Sequence, residues 1–196
     1  MKNNFYKYYS VYKPYGMLSQ FSDEDGRETL KSLYKFPKDV YPIGRLDSDS
    51  EGLLILSNDK SLVDLLLNPK NHHEKEYFVQ VEGIPDETAL KKLAAGVTIK
   101  DYKTLPVKVK VIDEPELPER IPPVRFRKSI PTSWISLTIT EGKNRQVRRM
   151  TASIGFPTLR LVRVRICNLK LNDLKPGEVR ELTSAEIGKL KSQFEK

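Results

Sequence analysis

Gly44-Arg45-Leu46-Asp47-Ser48-Asp49-Ser50-Glu51-Gly52-Leu53-Leu54-Ile55-Leu56 sets an Arg-Leu-Asp core between glycines and runs straight into four consecutive aliphatic residues. An apolar run of this length, bounded by polar and glycine-rich sequence, reads as a short strand buried on both faces. The loop before such a strand is a place where a reactive carboxylate can be held.

Working outward, residues 8–12 are aromatic and β-branched and read as a strand, ended by the Lys13-Pro14-Tyr15-Gly16 turn. A helix is expected over 29–34. After the aliphatic run, Asn58 or Asp59 caps a helix carrying Leu62, Leu65 and Leu66, and Asn68-Pro69 stops it. Residues 77–81 alternate as a half-buried strand does. Residues 86–95 have helical spacing, with Gly96 at the C-terminal cap.

Residues 107–112 and 134–140 read as further strands, separated by a segment rich in proline that denies the backbone donors a helix or central strand requires. This segment carries a basic patch of Arg125, Arg127 and Lys128, and reads equally well as an RNA contact or a surface insertion. A helix starting near Asn144 presents Val147, Met150, Thr151 and Ile154 to the core. Residues 158–166 alternate Leu or Val with Arg, with a phase slip at Leu161-Val162. A β-bulge there would bring Arg160 to the same side as Arg163 and Arg165. A last helix, capped by Thr183 or Ser184, carries Ile187, Leu190 and Phe194. These signals predict an α+β fold with a mixed, mostly antiparallel sheet flanked by helices. Residues 1–196 form one domain in this reading, or two lobes with a cleft between them.

The formal net charge of +8 and pI near 9.4 favour a polyanionic partner, nucleic acid first, because each cation set beside a phosphate releases condensed counterions. Cys167 is the only cysteine, so an internal disulfide and a thiolate zinc cage are both excluded and a reducing cytoplasm fits. No signal peptide or membrane span is readable. His72 and His73 are adjacent and do not have the spacing of a metal pair on one helix face. Asp47, Asp49 and Glu51 imitate half a calcium loop, but Asn58 stands where a bidentate glutamate is needed. No glycine-rich phosphate loop is present. Asp47 and Asp49 are too close in sequence to straddle a glycosidic bond as an acid and base pair.

Three segments in order carry a resemblance: the Arg-Leu-Asp stretch, Lys75-Glu76-Tyr77-Phe78-Val79-Gln80-Val81, and Glu141-Gly142-Lys143-Asn144-Arg145-Gln146-Val147-Arg148-Arg149-Met150. Together they resemble the RNA pseudouridine synthases of the RsuA-like branch. The likeness extends through Val11-Tyr12-Lys13-Pro14-Tyr15-Gly16, Gly155-Phe156-Pro157-Thr158-Leu159-Arg160-Leu161 and Pro176-Gly177-Glu178-Val179-Arg180-Glu181-Leu182, covering nearly the whole chain. It implies the pseudouridine synthase catalytic fold and isomerisation of uridine in ribosomal RNA, with no metal or cofactor. The implied substrate is large-subunit (23S) RNA near the peptidyl-transferase centre. Relatives often carry an N-terminal S4 domain; this chain begins almost directly at the catalytic segment, so RNA grip is expected from the catalytic body of a monomer.

The resemblance also assigns roles. Asp47 becomes the catalytic carboxylate, which either attacks ribose C1′ or first removes a ribose proton. Arg148 becomes its partner, since a guanidinium binds a carboxylate in bidentate fashion; phosphate binding is the alternative. Tyr77 would stack on the uracil and assist at C5, although a strand tyrosine without the motif is usually core. Arg45 becomes a wedge or phosphate clamp for a flipped nucleotide, with a structural salt bridge as the alternative. Lys143, Arg145, Arg149, Arg160, Arg163 and Arg165 form a basic tract read as an RNA track, joined by Arg125 and Arg127. Two competing functions are a non-catalytic RNA-binding or ribosome-assembly factor, and a synthase acting on transfer or small-subunit RNA. Phosphate binding alone requires neither an acidic residue nor a strand tyrosine.

Overall fold

The computed structural model describes residues 6–125, 127 and 129–194; Lys128 of the predicted basic patch lies outside them. The chain opens with β1 (Tyr8–Lys13), and a two-residue strand β2 (Tyr41–Pro42) leads into β3 (Glu51–Ser57), which holds the aliphatic run. Between β1 and β2, a 3-10 turn at Leu30–Ser32 stands where a longer helix was expected. It buries only Leu30, and so small an apolar face does not offset the cost of ordering further turns.

Asp59 caps α1 (Lys60–Leu67) by accepting from the amides of Ser61 and Leu62. Next come β4 (Lys75–Glu82) and α2 (Glu87–Ala94), the latter capped by Asp86. A small hairpin of β5 (Thr98–Ile99) and β6 (Tyr102–Lys103) precedes β7 (Lys108–Ile112) and β8 (Thr132–Ile139). The chain continues through α3 (Gln146–Ser153), β9 (Thr158–Ile166), β10 (Leu169–Lys170), β11 (Val179–Glu181) and α4 (Ser184–Ser192). Thr183 and Glu186 form a capping box at the start of α4. No helix among the described residues is long and apolar enough to cross a membrane.

The main sheet runs β11-β1-β3-β9-β4-β8-β7, the mixed and mostly antiparallel arrangement predicted. Its one parallel junction along this path is β3 with β9, paired at Glu51 with Val162 and Gly52 with Arg163. Gly52 is required at this seam. Its φ is +106°, and a Cβ there would stand 2.3 Å from the carbonyl oxygen of Arg163. The aliphatic run is apolar on both faces because each face meets a core: Leu53 and Ile55 pack with Leu62, Val162 and Leu190, while Leu54 and Leu56 pack with Tyr9, Val11 and Leu30. Each such side chain, fully buried, contributes roughly 1.5–3 kcal/mol.

Strand β9 is central, and this corrects the predicted bulge. Its irregularities against β4 fall between Glu76 and Tyr77 and between Gln80 and Val81, which leaves Leu159 and Val164 unpaired. Pairing from Arg160 to Arg163 is regular. Residues three apart on a regular strand point to opposite faces, so Arg160 and Arg163 do not share a side. At the end of β9, Cys167 adopts φ +52°, the left-handed backbone that favours glycine, in the turn to β10.

Candidate active site

The Arg-Leu-Asp loop is anchored at its middle residue. Leu46 is buried with Tyr77, Val147 and Leu161. The Ser19 hydroxyl grips its backbone twice, accepting from the Leu46 amide at 3.0 Å and donating to the Leu46 carbonyl at 2.8 Å. With Leu46 held inward, Arg45 is exposed, and the Asp47 side chain keeps 36% of its surface accessible. A turn closes behind Asp47, whose carbonyl accepts from the Ser50 amide at 3.0 Å.

Lys13 supports the loop from beneath. Its ammonium donates to the carbonyls of Met17 at 2.7 Å, Pro14 at 2.8 Å and Ser48 at 3.5 Å. Burial pushes its pKa down to about 8, against the opposing pull of Glu51, Asp49 and Asp47. Sequence reasoning left Ser19 and Lys13 without a role, because both grip backbone carbonyls, those of Leu46 and Ser48 lying about thirty residues away, and no side-chain motif marks such contacts.

The cations around the loop differ from the expected pairing. Arg145, rather than Arg148, lies nearest the Asp47 carboxylate, with Nη1 at 3.7 Å. Arg145 also makes a bidentate pair with Asp49 at 3.0 and 2.6 Å. Arg148, further along α3, instead approaches Asp49: Nε stands 3.3 Å from the carboxylate and Nη2 donates to the backbone carbonyl. Burial disfavours the charged form of Asp49, yet the Arg145 hydrogen bonds and the charge of Arg148 hold its carboxyl below the usual range. Asp49 is thus the hub joining the loop to α3.

A cleft of about 700 Å³ opens beside this hub, within the range of small-ligand sites. Arg45, Asp47, Tyr77, Lys143, Arg145 and Arg163 are among its lining residues. Tyr77 is 7% exposed and sits on β4 opposite Leu137 on one side and Arg163 on the other. Two of the three predicted catalytic groups, Asp47 and Tyr77, therefore border one cavity, and Arg148 stands behind it on Asp49.

The predicted basic tract divides. Lys143 is exposed at the cleft with its ammonium 5.6 Å from the Tyr102 ring centre, and Arg149 is half-buried and donates to Asn144. Arg125 is exposed, as is Arg127, which pairs with Glu82 at 3.0 Å. Arg160, Arg163 and Arg165 do not form a surface track, because Arg160 and Arg163 are buried and Arg165 is held between two carboxylates. Arg160 is buried and makes a bidentate pair with Glu51 at 2.9 and 2.8 Å; it also donates to Pro118 O at the proline-rich segment. Arg165 is held by Glu76 and Glu74. Arg163 is buried and donates to Leu53 O. The apolar residues on both sides of β9 were the signal that its arginines are interior.

The chain belongs to the RNA pseudouridylate synthase family, whose model matches residues 7–153, and members of this family are enzymes that isomerise uridine in RNA. Among its relatives, the chain is 58% identical to the ribosomal large subunit pseudouridine synthase E of Vibrio parahaemolyticus, over 87% of this chain and 71% of that protein. It is 52% identical to the synthase of the same name from Xanthomonas axonopodis pv. citri, over 84% of this chain and 87% of that one. A crystal structure of a pseudouridylate synthase superposes with a TM-score of 0.79 at 29% identity, covering 94% of this chain and 74% of that one.

Proposed function

We propose that the protein converts a uridine of large-subunit ribosomal RNA to pseudouridine, working as a monomer in the cytoplasm, with Asp47 as the catalytic carboxylate. The observation carrying this reading is the shared cleft: Asp47, Tyr77 and Arg145 border one cavity large enough for a nucleotide. The names of the Vibrio and Xanthomonas relatives support the large-subunit RNA as substrate.

In this reading the flipped nucleotide enters with its ribose toward Asp47 and its base toward Tyr77. Asp47 attacks C1′ or takes a ribose proton, and the bond from C1′ to N1 breaks. Arg145, 3.7 Å away, balances the carboxylate charge and fixes its direction, while Arg148 acts through Asp49 as a positioning residue. The Tyr77 ring carries the base as it turns, until C5 faces C1′ and a new carbon–carbon bond forms. Arg45, exposed two residues before Asp47, fills the space the base leaves in the RNA stack. Lys143 supplies a phosphate contact at the cleft, and Arg149, Arg125 and Arg127 supply others outside it.

The test is Asp47→Asn, which preserves size and removes the charge. Pseudouridine at the target position disappears from mapped ribosomal RNA of cells carrying this variant alone, while the purified variant binds the RNA with unchanged affinity. Normal modification by Asp47→Asn would remove the mechanism.

A further inference from the structure

Arg163 is 4% exposed and lines the cleft directly opposite Tyr77 in the β4–β9 register, so the two side chains share a face of the sheet. Its Nε is satisfied by Leu53 O, but its Nη2 is buried with no hydrogen-bond partner. Lys75 lies two residues before Tyr77 on the same face of β4 and also lines the cleft. Among the described residues, neither cation makes an ion pair within 4 Å. Burial and the neighbouring Arg163 push the Lys75 ammonium down to about 8. A buried charged donor left unpaired is costly, so the orphaned Arg163 Nη2, with the partly exposed Lys75 ammonium beside it in the cleft, points to an acceptor supplied by the substrate.

Breaking the bond from C1′ to N1 sends its electron pair to the base, which then carries negative charge over N1, O2 and O4. After the base turns, C5 uses that pair to bond C1′; the proton C5 then loses is matched by one gained at N1. We propose that Arg163 and Lys75 form a cationic floor to the cleft that receives a uracil carbonyl oxygen and stabilises the charge on the departing base. This rests on the isomerase reading above and adds two catalytic residues to it. The depth of Arg163 favours the flat edge of a base over a backbone phosphate, which stays at the cleft mouth with its strand.

The test uses the full chain and a ribosomal RNA fragment containing the mapped target uridine, followed in single turnover. Removing one preorganised donor of this kind slows the chemical step by about 10²–10³-fold, which is the loss expected for Arg163→Gln at saturating enzyme, with the RNA Kd changed by less than about 3-fold. Lys75→Met removes an ammonium that holds no hydrogen bond in the described structure. It keeps the fold and slows the step by about tenfold, as loss of a weaker member of the same charge pair. Placing 5-fluorouridine at the target makes the base a better leaving group, so the ratio of parent to variant cleavage rates shrinks for both variants. Unchanged rates, equal ratios on the two RNAs, or a defect confined to RNA affinity would each overturn the proposal. If Arg163→Gln does not fold, Lys75→Met decides alone. Should the unaltered protein make no pseudouridine, the isomerase reading fails and this inference with it; an active parent with equally active variants sinks the inference alone.

Discussion

His73 shows how much the environment at one residue can govern. It is 9% exposed at the edge of the cleft, and burial, with Lys75 and Arg163 nearby, lowers its pKa to about 4. Because the folded value lies below the ordinary value near 6.5, the unfolded chain binds the extra proton first as pH falls. The stabilisation is complete above that ordinary value and is lost between it and the folded pKa. Chemical denaturation at pH 7 and pH 5 should differ by about 2 kcal/mol from this group, and His73→Gln should abolish most of the difference. A parent protein equally stable at both pH values would show that His73 is protonated in the fold. Residue chemistry of this sort was only partly legible in the sequence. Asp47 and Tyr77 stood out only through the family resemblance of the motifs that carry them. The partner of Asp47 did not: the choice between Arg145 and Arg148 depends on how α3 seats against a loop about a hundred residues earlier.

At the scale of elements, the seam between β3 and β9 sets the geometry of the site. Gly52→Ala would place a methyl group 2.3 Å from Arg163 O at a left-handed φ, and neither strand can withdraw without giving up sheet pairing. A loss of more than about 3 kcal/mol in unfolding free energy is expected, with activity falling in parallel. A variant as stable as the parent would show that the strands separate freely here. Most elements were legible because their periods were clean: the alternation of β4, the double-sided burial of β3, and the caps of α1, α2 and α4. Strand β9 was read with its observed bounds, but its arginines were misplaced for a physical reason. Its alternating arginines imitate an exposed face, whereas Glu51 on β3, Glu76 on β4 and Glu74 just before β4 neutralise two of them. A single chain does not announce which distant carboxylate will arrive opposite a given guanidinium.

For the molecule as a whole, the net charge of +8 matters only where it meets the RNA. Lys143→Gln and Arg149→Gln should each flatten the log–log salt dependence of RNA binding by about 0.7 to 0.9. Arg160→Met should leave that slope unchanged while lowering stability by about 3–5 kcal/mol, because Glu51 is left buried without its partner. A flattened slope for Arg160→Met would return it to the RNA surface. The strand order carries one more consequence. Between the half of the sheet bearing the Asp47 loop and the half bearing Tyr77, the strand that touches both is β9. It is also among the last strands in chain order, and its Arg160 meets a residue 109 positions earlier. During synthesis, the Asp47 loop and Tyr77 therefore come together in one sheet only after β9 has emerged from the ribosome.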